Sequence, residues 1–204
     1  AWSIQGDGAT FTIGTDQPIH VNNPHYAILD VQTPGAAFVN AGFGGIVTQK
    51  GEKYDLSMFS KVLDGRKGGK TIVRLVTKEG KEIARTTMTI SSKDWKKQSA
   101  VLTATEDADS VMLALSPQSV GEYALDMISL FPQNTFKGRK NGLRADLAQA
   151  IADIHPRFVR FPGGCLAHGD GVDNMYNWKE TIGPLEARKP AANIWRYHQT
   201  RGLG

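Results

Sequence analysis

The chain has 204 residues, 40% of them hydrophobic and 22% charged, with a net charge of +4. That composition allows a real core, and the mild positive charge excludes an electrostatic footprint for nucleic acid: the basic runs 65–70 (GRKGGK) and 137–140 (KGRK) sit in Gly-rich stretches that read as turns and linkers. The single cysteine, Cys165, excludes an intramolecular disulfide, and no run approaches the ~18 apolar residues of a membrane-spanning helix, so neither nucleic acid nor membrane is an expected partner. The opening AWSIQGDG has neither the basic start nor the apolar stretch of a signal peptide.

From the start to about residue 131 the sequence reads as strands. Runs rich in Val, Ile, Thr and aromatics alternate with Gly, Pro, Asn and Asp. The spans are 36–40, 45–49, 53–63, 70–77, 82–90, 98–105, 110–116 and 123–130. KEGK, between the fourth and fifth of these, suits a hairpin. In 82–90, Ala84, Thr86, Met88 and Ile90 share one face, and Ile83, Arg85, Thr87 and Thr89 the other, so one face is buried and one wet. Val111, Leu113 and Leu115 repeat the alternation. Short strands at near-regular spacing predict an antiparallel two-sheet sandwich of jelly-roll type.

After Pro132 the pattern changes. In NGLRADLAQAIADIHP, Leu143, Leu147, Ile151 and Ile154 form one stripe of an amphipathic helix, with Asn141 as N-cap and Pro156 as stop. RFVRF is a compact strand, followed by Pro-Gly-Gly. Helix, strand and Gly-rich loop are one step of an α/β repeat. One step cannot bury both faces of its strand, so this half is either a minor layer on the sandwich or the beginning of a larger α/β domain.

RFPGGCLAHGD, residues 160–170, concentrates the chemistry. Arg160 ends the strand, and in a (β/α)8 barrel residues at strand C-termini build the active site. Its guanidinium is always charged and offers a rigid fork of donors suited to holding a carboxylate ionised. Gly163 and Gly164 let the backbone turn sharply and a ligand approach. Other readings stay open: Arg160 as a structural ion pair, Pro-Gly-Gly as an ordinary turn, Cys165 as a small buried residue. A thiol site would need His168 as partner, and the irregular HGDGVD is a weak metal signal.

RFVRFPGGCLAHGD followed by YNWKETIGPLEAR resembles the start of the catalytic barrel in α-L-arabinofuranosidases of glycoside hydrolase family 51. LDMISLFPQNTFKGRKNGLRADLAQAIADIHP resembles the same proteins, and NNPHYAILDV with NAGFGGI and GEKYDLSMFSK resembles the sandwich that some members insert early in the barrel domain. The resemblance implies a galactose-binding-like, carbohydrate-binding-module-like jelly roll over 1–135 and the first part of a truncated (β/α)8 barrel over 136–204. It implies that Arg160 lies at the floor of the sugar site beside the nucleophilic carboxylate. Cys165 matches a position that touches bound arabinose, where many relatives carry Asn. Asn177 and Trp178 match a loop beside the site, where an aromatic face can stack on sugar. The sequence departs from the family pattern at His168, so no role is carried over to it.

The family mechanism is retaining and needs two carboxylates about 5 Å apart. Both are glutamates on later barrel strands, the acid/base one preceded by Asn. No Asn-Glu pair occurs in this sequence, and Glu180 and Glu186 match non-catalytic loop positions. The resemblance therefore implies a secreted or periplasmic enzyme releasing terminal arabinofuranosyl residues from arabinose-containing polysaccharides or oligosaccharides. This sequence is expected to be a fragment of it, lacking both catalytic glutamates and inactive without the rest of the barrel as partner. The alternative is a non-catalytic sugar-binding or architectural sandwich, for which Tyr26, Phe43, Tyr54, Phe59, Trp95 and Tyr123 are the available aromatics. No cofactor is expected and no catalytic metal. The resemblance allows a structural calcium in the sandwich, with Asp126 in YALDMISLF as a possible ligand, although a hydrogen-bonded buried Asp explains it better.

Overall fold

The structure, a computed structural model, describes residues 2–192, 194–195 and 199–200. They fall into two compact units, one within Ala1–Gly14 and Tyr26–Ala150, the other within Thr15–His25 and Ile151–Gly204.

The first unit is built from β1 (Trp2–Gln5), β2 (Ala9–Gly14), β3 (Tyr26–Val31), β4 (Ala37–Asn40), β5 (Ile46–Thr48), β6 (Lys53–Val62), β7 (Gly69–Val76), β8 (Glu82–Ile90), β9 (Lys96–Thr103), β10 (Ala108–Pro117) and β11 (Gly121–Pro132). One sheet runs β1-β4-β10-β7-β8, with β5 sharing an edge of β10 with β4; the other runs β2-β3-β11-β6-β9. All the pairings are antiparallel. The expected two-sheet sandwich is therefore present. Each of the strands read from the sequence before residue 132 is found within a residue or two of its expected ends. The KEGK turn joins β7 to β8, with Thr77 N–H donating to Lys81 O at 2.9 Å.

The inward faces meet as one apolar cluster. Leu29, Phe38, Leu56, Met58, Leu75, Leu102, Leu115 and Tyr123 are all essentially inaccessible. Burying each such side chain favours folding by roughly 2 kcal/mol. The wet and dry faces of β8 follow the expected alternation with one exception. Ile83 is buried together with Ala84, because the β7 register moves from Leu75↔Ala84 to Val76↔Glu82. Ile83 is the extra residue of a β-bulge, which turns it inward.

A second bulge sits in β11. Its register moves from Asp126↔Phe59 to Ser129↔Ser57. Before it Tyr123 and Leu125 face the core; after it Ile128 and Leu130 pack there. Met127, at φ 49, absorbs the extra residue, and its N–H donates to Asp126 Oδ1 at 2.7 Å. The charge of Asp126 inside an apolar run thus serves the bulge. Among the described residues no group of three His, Cys, Asp or Glu side chains is placed to hold a metal ion.

The strands β1, β2 and β3 were not anticipated. WSIQ and ATFTIG each place only two or three residues on the buried face before a glycine interrupts, too short a period to stand out. YAILDV is a short apolar run whose strand character is settled by pairing with β2 on one side and β11 on the other.

The helix is shorter than its apolar stripe. α1 (Ala145–Asp153) begins after Asn141 and Leu143, so Asn141, at φ 51, is not its N-cap. Arg144 instead clamps Asp146 through two hydrogen bonds of 2.7 and 2.8 Å, while Asp146 also accepts the Leu147 N–H. The Arg144 bonds, ahead of that N–H, hold the Asp146 carboxyl below its ordinary range. The helix ends ahead of Pro156, as the restriction on the residue before proline requires. Residues 157–161, expected as a strand, form none: no described strand pairs with them, and a strand needs a hydrogen-bonded neighbour.

Three substitutions test this account of the sandwich. Leu115→Ala removes a fully buried side chain and should lower unfolding free energy by about 3 kcal/mol in urea titration. Gly68→Ala should cost about 2 kcal/mol or more, since φ is 66 and a Cβ would lie 2.0 Å from the Ile90 carbonyl oxygen. Gly80→Ala has a similar φ of 86 but open space, so about 1 kcal/mol is expected there.

Candidate functional site

The residues picked out by the sequence cluster within 160–181, in the second unit. The Phe161–Pro162 peptide is cis, and Gly163 follows at φ 103, a conformation that residues with a Cβ rarely adopt. Next comes the short helix α2 (Gly164–His168). A Cβ on Gly164 would sit 3.4 Å from Arg160 Nη2, so the guanidinium lies against the turn. Arg160 is exposed, and no ion pair engages it among the described residues. Cys165 is exposed as well.

Gly169 closes the turn. Its N–H donates to Cys165 O at 3.0 Å, and its φ is 58. A Cβ there would lie 2.5 Å from Asn174 Oδ1, so only glycine lets Asn174 pack on the backbone. Asn174 Oδ1 in turn accepts the Asp170 N–H at 2.8 Å. The Tyr176 N–H reaches Ala167 O at 3.2 Å, and the Tyr176 ring meets Phe161 edge-on at 6.1 Å between centroids. That contact brings the Arg160–Pro–Gly–Gly turn next to the stretch carrying Asn177 and Trp178.

Asn177 caps the single turn Trp178–Thr181, its Oδ1 accepting the Lys179 N–H at 3.2 Å. Trp178 is 59% exposed, while Thr181 beneath it is buried and donates to Trp178 O at 2.7 Å. The indole is therefore presented on a hydrogen-bonded turn. His168 Nδ1 makes a short hydrogen bond to the Gly169 carbonyl, and among the described residues none joins it to the Cys165 thiol. The residues the sequence reading missed are Gly169 and Asn174. Their signal was a glycine followed five residues later by an amide that can bond back to the loop backbone.

The aromatics of the sandwich divide between its core and its outer faces. Tyr54 and Tyr123 belong to the core, where burial, first among the causes, pushes both phenols up. Tyr26 is buried on the outer face of its sheet against Trp95, with Lys61 Nζ 4.9 Å from the Trp95 ring centroid. Phe59 is half-buried under Lys97 Nζ, 5.4 Å away, and Phe43 projects freely from a glycine-rich turn.

A family model, curated relatives and a solved structure each liken the chain to α-L-arabinofuranosidases. The α-L-arabinofuranosidase 1 domain model matches residues 150–204. An extracellular exo-α-L-arabinofuranosidase from Streptomyces chartreusis is 34% identical over the whole chain, which covers 25% of that protein. Alpha-L-arabinofuranosidase 1 of Arabidopsis thaliana is 31% identical, again over the whole chain and 31% of the relative. A probable α-L-arabinofuranosidase A of Aspergillus terreus is 35% identical, with 33% of its length covered. The chain thus spans a quarter to a third of the length of these relatives. Among solved structures, an arabinose-bound glycoside hydrolase family 51 α-L-arabinofuranosidase superposes on 100% of the chain and 34% of its own, with TM-score 0.89 and 29% identity. Over its whole length the chain is therefore similar to a part of α-L-arabinofuranosidases, a glycoside hydrolase family 51 member among them, and residues 150–204 match their domain model.

Proposed function

We propose that this chain supplies one wall of the sugar site of a retaining α-L-arabinofuranosidase acting on arabinose-containing polysaccharides or oligosaccharides. The observation that carries the reading is the superposition of the entire chain on an arabinose-bound family member at TM-score 0.89. In this reading Arg160 holds the nucleophilic carboxylate in place and ionised, through charge-assisted hydrogen bonds that its planar fork makes in pairs. Cys165 touches the sugar with a weak donor where an amide would grip it harder. Asn177, whose amide oxygen is engaged in capping, presents its NH2 group, and Trp178 offers a stacking face. The two glutamates of the reaction lie outside this sequence, and the covalent glycosyl intermediate forms on one of them.

The reading extends to the rest of the enzyme. Residues 136–204 are the first part of its barrel. Leu147, Ile151, Phe158 and Val159, between 57% and 84% exposed, are the apolar faces that the remaining barrel covers. Secretion is supported by the Streptomyces relative, which is described as extracellular. A sandwich that only binds sugar or braces the barrel is the second reading, favoured by a polar cavity on its outer face.

Incubated with an aryl α-L-arabinofuranoside, the 204-residue chain should give no turnover above buffer. Release of the aryl group at an enzyme-like rate would show that the carboxylates have been misassigned. In a full-length enzyme carrying this sequence, Arg160→Ala should lower kcat/KM by about 10²–10³, the scale of losing a preorganised electrostatic group. Cys165→Ala should act mainly on KM, by only a few-fold.

A further inference from the structure

The outer face of the β2-β3-β11-β6-β9 sheet carries a cavity of about 300 Å³ that the hydrolase reading does not use. Its floor is set by strand register. Ser57 on β6 is opposite Ser99 on β9 and Ser129 on β11, so three hydroxyls cross three adjacent strands. Ser57 and Ser129 share a hydrogen bond of 2.8 Å. Ser129 is on this face because the β11 bulge reverses the phase of the strand ahead of it.

The two directions along β6 differ in charge. Two residues one way is Asp55, pinned by Gln133 Nε2 at 2.8 Å and paired across the sheet with Val101. Two residues the other way is Phe59, with Lys97 opposite it and the ammonium over its ring. Four residues of strand separate the acidic and basic positions by ~13 Å. Lys140 lines the cavity from the segment after β11, so two lysines border it.

We propose that this cavity binds an acidic saccharide, a glycan segment bearing hexuronate. Its ring hydroxyls meet the serine row and Asp55, and its carboxylate meets Lys97 and Lys140. Asp55 decides for a sugar over a simple anion. An ionised carboxylate only accepts hydrogen bonds, so it binds a hydroxyl and repels phosphate. The two lysines decide for an acidic sugar over a neutral one. Stacking plays little part, because Lys97 already occupies the exposed side of Phe59. The site needs no catalytic carboxylate, so it stands or falls apart from the proposed hydrolysis.

The test is calorimetric titration of the 204-residue chain with a galacturonate trisaccharide, a neutral arabinose trisaccharide and inorganic phosphate. The galacturonate should bind. Its affinity should fall about tenfold in the double variant Lys97→Gln, Lys140→Gln and by a similar factor at high salt, as for two solvent-facing charge pairs. Ser99→Ala should weaken it a few-fold without changing the salt dependence. Thermal unfolding midpoints should stay put, showing that the variants fold. Absence of binding, equal affinity for the neutral trisaccharide, competition by phosphate at equal concentration, or indifference to the lysine exchange would each overturn the proposal. None of these readouts involves turnover, so failure here leaves the hydrolase reading untouched.

Discussion

The sandwich depends on one short hydrogen bond inside one strand. β11 lies at the centre of its sheet, between β3 and β6, and has to supply core residues along its whole length. Its sequence, GEYALDMISLFP, cannot do so with strict alternation: Tyr123 and Leu125 are odd-numbered, Ile128 and Leu130 even-numbered. A straight strand would send one pair into water and forfeit roughly 2 kcal/mol for each large side chain exposed. The bulge reverses the phase, at the cost of an unpaired backbone N–H and a residue at positive φ. Asp126 removes the first cost by bonding the Met127 N–H with its own carboxylate. A charge that looks misplaced in the linear sequence is what allows both halves of the strand to face inward.

How much of this was legible follows from the same physics. Strands that alternate over many residues, such as Lys53–Val62 and Glu82–Ile90, announce themselves because a one-residue slip would expose every apolar side chain on the face. Bulges are invisible at that level, since the sequence carries the extra residue without a mark. Ile83 reads as an ordinary member of an alternating run, and Met127 as one more residue of an apolar one. The edge strands β1 and β2 were missed for the opposite reason, having too few residues to establish a period. RFVRF shows the remaining limit. Its composition favours a strand, yet a strand exists only with a neighbour to bond to, and that neighbour is a property of the fold rather than of the segment.

The candidate site was more legible in its residues than in its geometry. Arg160, Gly163 and Gly164 stand out because a fixed charge beside a backbone that can turn left-handed is an unusual pairing of residue types. The placement of the guanidinium over Gly164 and the docking of Tyr176 on Phe161 depend on how residues 169–176 fold back, which turns on Gly169 admitting Asn174. That loop is held by backbone and amide hydrogen bonds rather than by burial. It therefore carries no hydrophobic period for a sequence reading to find.

The two parts of the chain also differ in how completely they satisfy their own apolar residues. In the sandwich most large apolar side chains of the strands are buried, although Ile13, Val47 and Val101 stay exposed, and the outward faces also carry Ser, Thr, Lys and Asp. In residues 143–161 the reverse holds: the whole stripe of Leu143, Leu147, Ile151 and Ile154 is more than half exposed, as are Phe158, Val159 and Phe161. Isolated exposed leucines are ordinary, but a contiguous run of this kind marks a surface built to be covered. The helix is amphipathic for a partner layer, and a partner layer is what the proposed barrel places there. Self-sufficiency of the sandwich and dependence of the α/β segment are thus two outcomes of one rule. The same rule explains why the cavity on the sandwich can be tested on this chain alone.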